Sequence, residues 1–318
     1  MKKRSALLVS ILMLVMLTVF AVACGQRDNI PKLQDYDEAD EGITQYIEKL
    51  CDNAMEGREG GKKGEAEAAL YLARFLQRNG VKPAGDNGTY FQAFDIYEYK
   101  PVMEGLRMVM GVTDYSKKRH SENVLGIIEG VSDEIIVLSA HYDHLGIIGN
   151  EYYRGANDNA SGVAAVMDLV KKLVERGPVN TVLIAFWGSE EKGLWGSQYF
   201  CEHPTVPLEK IKAVVNLDTV GNLKSDWQLL GWQDAEGPLA QQIIERLENK
   251  GWSINWEKHR GHNSDHWSFA KKKIPGFTLL SPRWLANNHT PLDTIERLNI
   301  TNIEALTKSL GEIFTDVR

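Results

Sequence analysis

Apolar residues along this chain recur with two periods, one helical and one alternating, and the two take turns. Residues 63–79 carry apolar side chains at helical spacing and run into Gly80, which predicts a helix with a glycine stop. Residues 89–97 alternate in the manner of a half-buried strand. Residues 123–128 and 134–138 are short apolar runs bounded by turn residues, the pattern of strands in a covered sheet. Residues 161–176 form an amphipathic helix that ends at Gly177-Pro178. Strands follow at 181–186, 213–217 and 277–280, with helices at 238–250 and 301–315. Strands that alternate with helices in this way predict an α/β fold: a three-layer sandwich whose mixed, mostly parallel central sheet is covered by helices.

The first residues stand apart from that pattern. Met1-Lys2-Lys3-Arg4 is a basic start, and residues 6–23 are almost unbroken apolar sequence ending in Ala21-Val22-Ala23 before Cys24. This is the layout of a secretory signal peptide over 1–23; a retained membrane anchor is the competing reading. Cys24 resembles the lipidated cysteine of bacterial lipoproteins, with Ala21 where that pattern prefers Leu, while Ala-Val-Ala also suits ordinary signal cleavage. Residues 24–40 are polar and read as a tether, and 41–318 as a single catalytic domain. The expectation is therefore an exported protein, at the cell surface or in the periplasm if lipidated and otherwise secreted, touching membrane only through an N-terminal lipid or anchor.

Loss of the signal removes three positive charges and takes the formal net charge of −7 to about −10. An acidic chain without basic runs has no electrostatic footprint for nucleic acid. Two further cysteines, Cys51 and Cys201, lie in no metal-binding spacing, and whether they pair is not set by the sequence.

Chemistry appears where the apolar strands stop. After Ile135 to Leu138 comes Ser-Ala-His141-Tyr-Asp143-His144. After Val182 to Trp187 comes Gly-Ser-Glu190-Glu191, and after Val214 to Leu217 comes Asp218. Each piece alone is ordinary: an acid after a strand is common in caps and solvated loops, and Asp143 and His144 by themselves are unremarkable. Together, converging carboxylates at dry strand ends repel one another unless positive charge meets them, and Lys192 is the only basic residue in those stretches. A divalent metal is the economical counter-charge.

The segments SAHYDHLG (139–146), GANDNASG (155–162), FWGSEEKGLWGS (186–197), VVNLDTVG (214–221), NSDHWSF (263–269) and NNHTPLDT (287–294) resemble, in order, the motifs of the co-catalytic zinc aminopeptidases. That clan includes secreted leucyl aminopeptidase, aminopeptidase Y and glutamate carboxypeptidase. MEGREGG (55–61) looks like its N-terminal glycine-rich segment. The resemblance implies two zinc ions, one held by His141 and Asp218, the other by Glu191 and His289, with Asp158 bridging. It implies Glu190 as general base and Asp143 as the carboxylate that accepts the ring N–H of His141. Asp265 and His266 match the family's Ser-Asp-His segment in a supporting role, but Trp267-Ser268 depart from its usual residue-then-Pro.

By that resemblance the substrates are peptides and the reaction is hydrolysis at the N-terminal residue, with water activated by two metals and Glu190 taking its proton. Two rivals remain at this point. A glutaminyl cyclase-like enzyme would use a single zinc, and a binding module on the same fold would use none; the presence of all five ligand residues and the base argues against both. Six tryptophans between Trp227 and Trp284 read mainly as core, with Trp267 a candidate for a side-chain pocket.

Overall fold

A computed structural model describes residues 42–104, 107–222, 227–257 and 264–316. The signal segment, Cys24, the tether, Arg260 and Asn263 lie outside the described residues. In chain order the elements are α1 (Ile43–Leu50), α2 (Lys63–Arg78), β1 (Lys82–Pro83), β2 (Phe91–Glu104), β3 (Arg107–Ile128), β4 (Ser132–His141), β5 (Gly146–Ile148), β6 (Glu151–Tyr153), α3 (Gly162–Arg176), β7 (Asn180–Trp187), α4 (Trp195–Glu202), β8 (Ile211–Leu217), β9 (Gln228–Ala235), α5 (Pro238–Asn249), β10 (Ser253–Glu257), α6 (His266–Ala270), β11 (Gly276–Leu280) and α7 (Ile300–Asp316).

The apolar runs form the middle of one nine-stranded sheet, ordered β1-β3-β7-β4-β8-β11-β9-β10 with β2 beside β3. Its centre, β7-β4-β8-β11, is parallel. Every residue of β7 is buried, as are the last seven of β4, because helices cover both faces. Alternate residues serve the two layers. Ile136, Leu138 and Ala140 pack with Val166, Leu169 and Leu310 from α3 and α7. Ile135, Val137, Leu183 and Trp187 pack on the other side with Phe200 of α4 and Phe269 of α6. The three-layer α/β sandwich read from the sequence is the observed fold.

Antiparallel additions flank the parallel centre. β3 runs against β7, and β11 against β9. The sequence pattern located only the inner halves of β2 and β3. Their outer halves pair with each other alone, and residues 100–103 are exposed, so no buried face imposed an alternation there. Strands β9 and β10 were also not anticipated: Gly231, Gln233 and Asp234 interrupt the first, and β10 pairs only with β9. Glu41–Arg318 make one compact unit. Cys51 and Cys201 are both free thiols within it.

Most of the tryptophans serve packing. Trp252 is buried, Trp227 stacks on it at 5.1 Å between ring centres, and Trp284 meets Trp232 edge-on. Trp267, the pocket candidate, is half-buried beneath the Lys271 ammonium.

Candidate metal centre

Three neighbouring parallel strands stop at one edge of the sheet and each leads to an ionisable side chain. β4 ends on His141, β7 continues through Gly188 and Ser189 to Glu190 and Glu191, and β8 runs into Asp218. Asp158 reaches this edge from the loop before α3, and His289 from the loop between β11 and α7. The carboxyl edge of an open α/β sheet is the usual place for a ligand.

The side chains interlock around Asp158. Its Oδ1 lies 3.2 Å from His141 Nε2 and its Oδ2 lies 3.1 Å from His289 Nε2. Asp218 Oδ1 is 3.6 Å from the same nitrogen of His141, and Glu191 Oε2 is 3.0 Å from His289 Nε2. Glu190 Oε2 stands 4.0 Å from His141 Nε2. The five sequence-predicted ligands and the predicted base thus meet in one place, with Asp158 between His141 and His289.

The donor set suits zinc. All the atoms are carboxylate oxygen or imidazole nitrogen, and four-coordinate zinc with bonds of ~2.0–2.1 Å sets neighbouring ligands roughly 3.3 Å apart. The pair distances above bracket that value. Two groups of potential ligands emerge, His141 with Glu190 and Asp218, and His144 with Asp158, Glu191 and His289.

Burial and crowding shape the charges. Burial pushes the Glu190 carboxyl well above the usual carboxylate range, and Glu191, Asp265 and Asp218 add to the rise against the pull of His141. Burial alone would raise Asp158 too, but hydrogen bonds from His141 and His289 hold it well below that range. Glu191 is held at about 2 against its own burial, chiefly by His289. His289 is pushed up to about 11, because Glu191 and Asp158 outweigh the cost of burying its charge. Lys192, the one basic residue of the strand ends, reaches Glu59 at 3.3 Å.

Local backbone chemistry explains why these segments carry the residues they do. Asp158 sits between two asparagines that tie its loop to the Asp218 loop. Asn157 Oδ1 accepts from Gly221 N–H, and Asn159 Oδ1 accepts from Thr219 and Gly162 N–H while its amide donates to Leu217 O. Gly155 opens the segment in the left-handed region at φ 58°, and the Asp158–Asn159 peptide is cis. Ser161, just before α3, donates to Asn157 O at 2.7 Å.

Asp143 faces both His141 and the turn that follows β7. It lies 3.7 Å from His141 Nδ1, beyond hydrogen-bond length, and that nitrogen has no partner. Its two oxygens accept from the backbone N–H groups of Glu190 and Glu191 instead, at 2.8 and 3.2 Å. It therefore fixes the turn that carries Glu190 and Glu191. His266 is structural. A one-way donor chain runs from Asn216 to Thr278, from Thr278 to His266 and from His266 to Asp234, while Asn216 also donates to Ser264 and Ser264 to Asp218. Asp265 is fully buried, and burial pushes it up to about 7.

Sequence reasoning left out two residues of the site. Asp293 accepts from the N–H groups of Asn157 and Asp158 and so holds the bridging loop; it stood in a quoted motif with no role attached. His144 hydrogen-bonds Glu191 at 2.9 Å. Its only signal was a second histidine three residues after His141.

The chain belongs to peptidase family M28, whose model matches residues 123–313. It is 31% identical over 170 residues to an aminopeptidase of Pseudomonas aeruginosa, covering 50% of this chain and 30% of that protein. It is 27% identical over 184 residues to leucine aminopeptidase 2 of Trichophyton equinum, covering 55% and 36% respectively. The chain thus spans about a third of the length of the curated relatives it matches. Among solved structures, a zinc aminopeptidase from Bacillus subtilis superposes with a TM-score of 0.69 at 16% identity, covering 87% of this chain and 95% of that one. A leucine aminopeptidase precursor from Bacteroides thetaiotaomicron gives 0.63 at 18%, covering 90% and 99%. At these identities the likeness is one of fold.

Proposed function

We propose that this chain is a zinc-dependent aminopeptidase in which two zinc ions share Asp158. The observation that carries the reading is the position of Asp158, one oxygen beside His141 and the other beside His289, with Asp218 and Glu191 each on one side. Bound zinc supplies Lewis acidity and lowers the pKa of water towards neutrality. Glu190, anchored through its backbone N–H on Asp143, takes the proton of the attacking water and returns it to the leaving amine. Several carboxylates at the mouth of the site favour a substrate ammonium over a substrate carboxylate. A C-terminal carboxylate would need an arginine fork, and Arg154 instead donates to Cys51 O while Arg283 is exposed. The names of the relatives point the same way.

Matched peptides test the direction of attack. Cleavage of a free N-terminus that stops on acetylation, and is indifferent to C-terminal amidation, is the expected result; equal cutting of the acetylated peptide overturns it. Elemental analysis should return two zincs per chain, whereas one would favour the cyclase-like reading and none the binding module. For export and lipidation the support is the sequence alone, and mass spectrometry of the N-terminal peptide should find a diacylglyceryl group on Cys24.

A further inference from the structure

We propose that His144 is a positioning residue of the zinc site on the Glu191–His289 side, donating its Nδ1–H to Glu191 and fixing that carboxylate for the metal. The proposal rests on the two-zinc reading above. A carboxylate can only accept, so the 2.9 Å contact between His144 Nδ1 and Glu191 Oε1 puts the proton on Nδ1. Among the described residues the other ring nitrogen has no hydrogen-bond partner, so Glu191 is the group to which the ring donates.

The surrounding fold is shaped for this ring. His144 is fully buried, and its backbone N–H donates to Arg58 O at 3.0 Å. The residue beneath the ring is Gly155, where a Cβ would fall 2.5 Å from the imidazole Cγ. Any side chain at 155 would displace the ring, so the glycine that opens the Asp158 loop also makes room for His144. The ring meets His289 edge-on at 5.6 Å between centres. A histidine that merely filled core would gain nothing from facing the carboxylate that His289 also faces.

Partners that hydrogen-bond a ligating group typically change metal affinity about 10–100-fold when removed. The test titrates zinc into the chelator-stripped chain against a competing chromophoric chelator. Wild type should show two binding steps, and fewer than two would overturn the two-zinc reading and this proposal with it. His144→Ala should weaken one step about 10–100-fold and leave the other within a few-fold. His144→Leu fills the space of the ring without a donor and should behave like Ala, which covers a folding defect caused by the cavity. His144→Asn keeps an N–H near the place of Nδ1 and should restore the step. Equal weakening of both steps, no change in either, or failure of Asn to rescue overturns the positioning role.

Discussion

Asp158 and Glu190 stand 3.2 and 4.0 Å from the same histidine, and single substitutions separate the two roles proposed for them. Glu190 approaches His141 no closer than 4.0 Å, and burial raises its carboxyl well above the usual carboxylate range. Glu190→Gln should keep both zincs by elemental analysis while turnover falls roughly 100- to 10,000-fold; loss of the metals would make it a ligand. Asp158 supplies an oxygen to each half of the site, His141 a nitrogen to one. Asp158→Ala should therefore retain less zinc after dialysis than His141→Ala, and equal retention would contradict the bridge. His141 and Glu190 were legible because each lies at or just beyond the end of an apolar run, whereas Asp158 stands in a loop and was given by the resemblance of its segment alone. Asp293 and His144 act through contacts across more than 40 positions of sequence, which no local pattern records.

At the scale of elements, the glycine-rich segment 55–61 explains how the N-terminal part of the chain supports the site. Arg58 is fully buried and donates to the carbonyls of Leu50, Tyr142, Arg154 and Gly155, joining the His141 loop to the Asp158 loop. Gly57 brings the segment against the start of β5 and the end of β6. Its φ is +66°, and a Cβ there would lie 2.5 Å from the carbonyl oxygens of Gly146 and Tyr153. Gly80 provides the control, with φ +71° but open space around it. Gly80→Ala should cost about 1 kcal/mol from backbone conformation alone. Gly57→Ala should cost about 2 kcal/mol more, roughly a further 4–8 °C in Tm. Similar melting temperatures for the two variants would show that the segment yields without strain. The sequence gives the glycines and nothing about what they approach. The parallel core strands were readable from hydrophobicity, whereas the hairpin arms and β9-β10 take their structure from partners.

Across the whole molecule, the site is a concentration of acidic groups that calls for positive charge. Asp143, Asp158, Glu190, Glu191, Asp218 and Asp265 converge at one sheet edge, and bound dications would offset part of their negative charge. Stripped by a chelator, the chain must rely on its histidines. His289 is pushed up to about 11 against its burial, mainly by Glu191, and Glu191 is held at about 2 by the same pair. The signs follow from linkage. The raised histidine stabilises the fold fully below its unfolded pKa near 6.5, and that contribution fades as pH rises towards 11. The depressed carboxylate stabilises fully above 4.5 and loses its contribution as pH falls towards 2. The stripped protein should therefore melt highest between about pH 4.5 and 6.5 and lose Tm on the alkaline side. Zinc needs the histidines neutral, so its binding should release protons near neutral pH and hold Tm up where the stripped chain weakens. Calorimetry in buffers of different ionisation enthalpy measures the release, and melting curves with and without chelator measure the rest. A stripped protein whose Tm is flat from pH 6 to 9, with no proton release on adding zinc, would mean that His289 is already neutral and that the carboxylates find their counter-charge elsewhere.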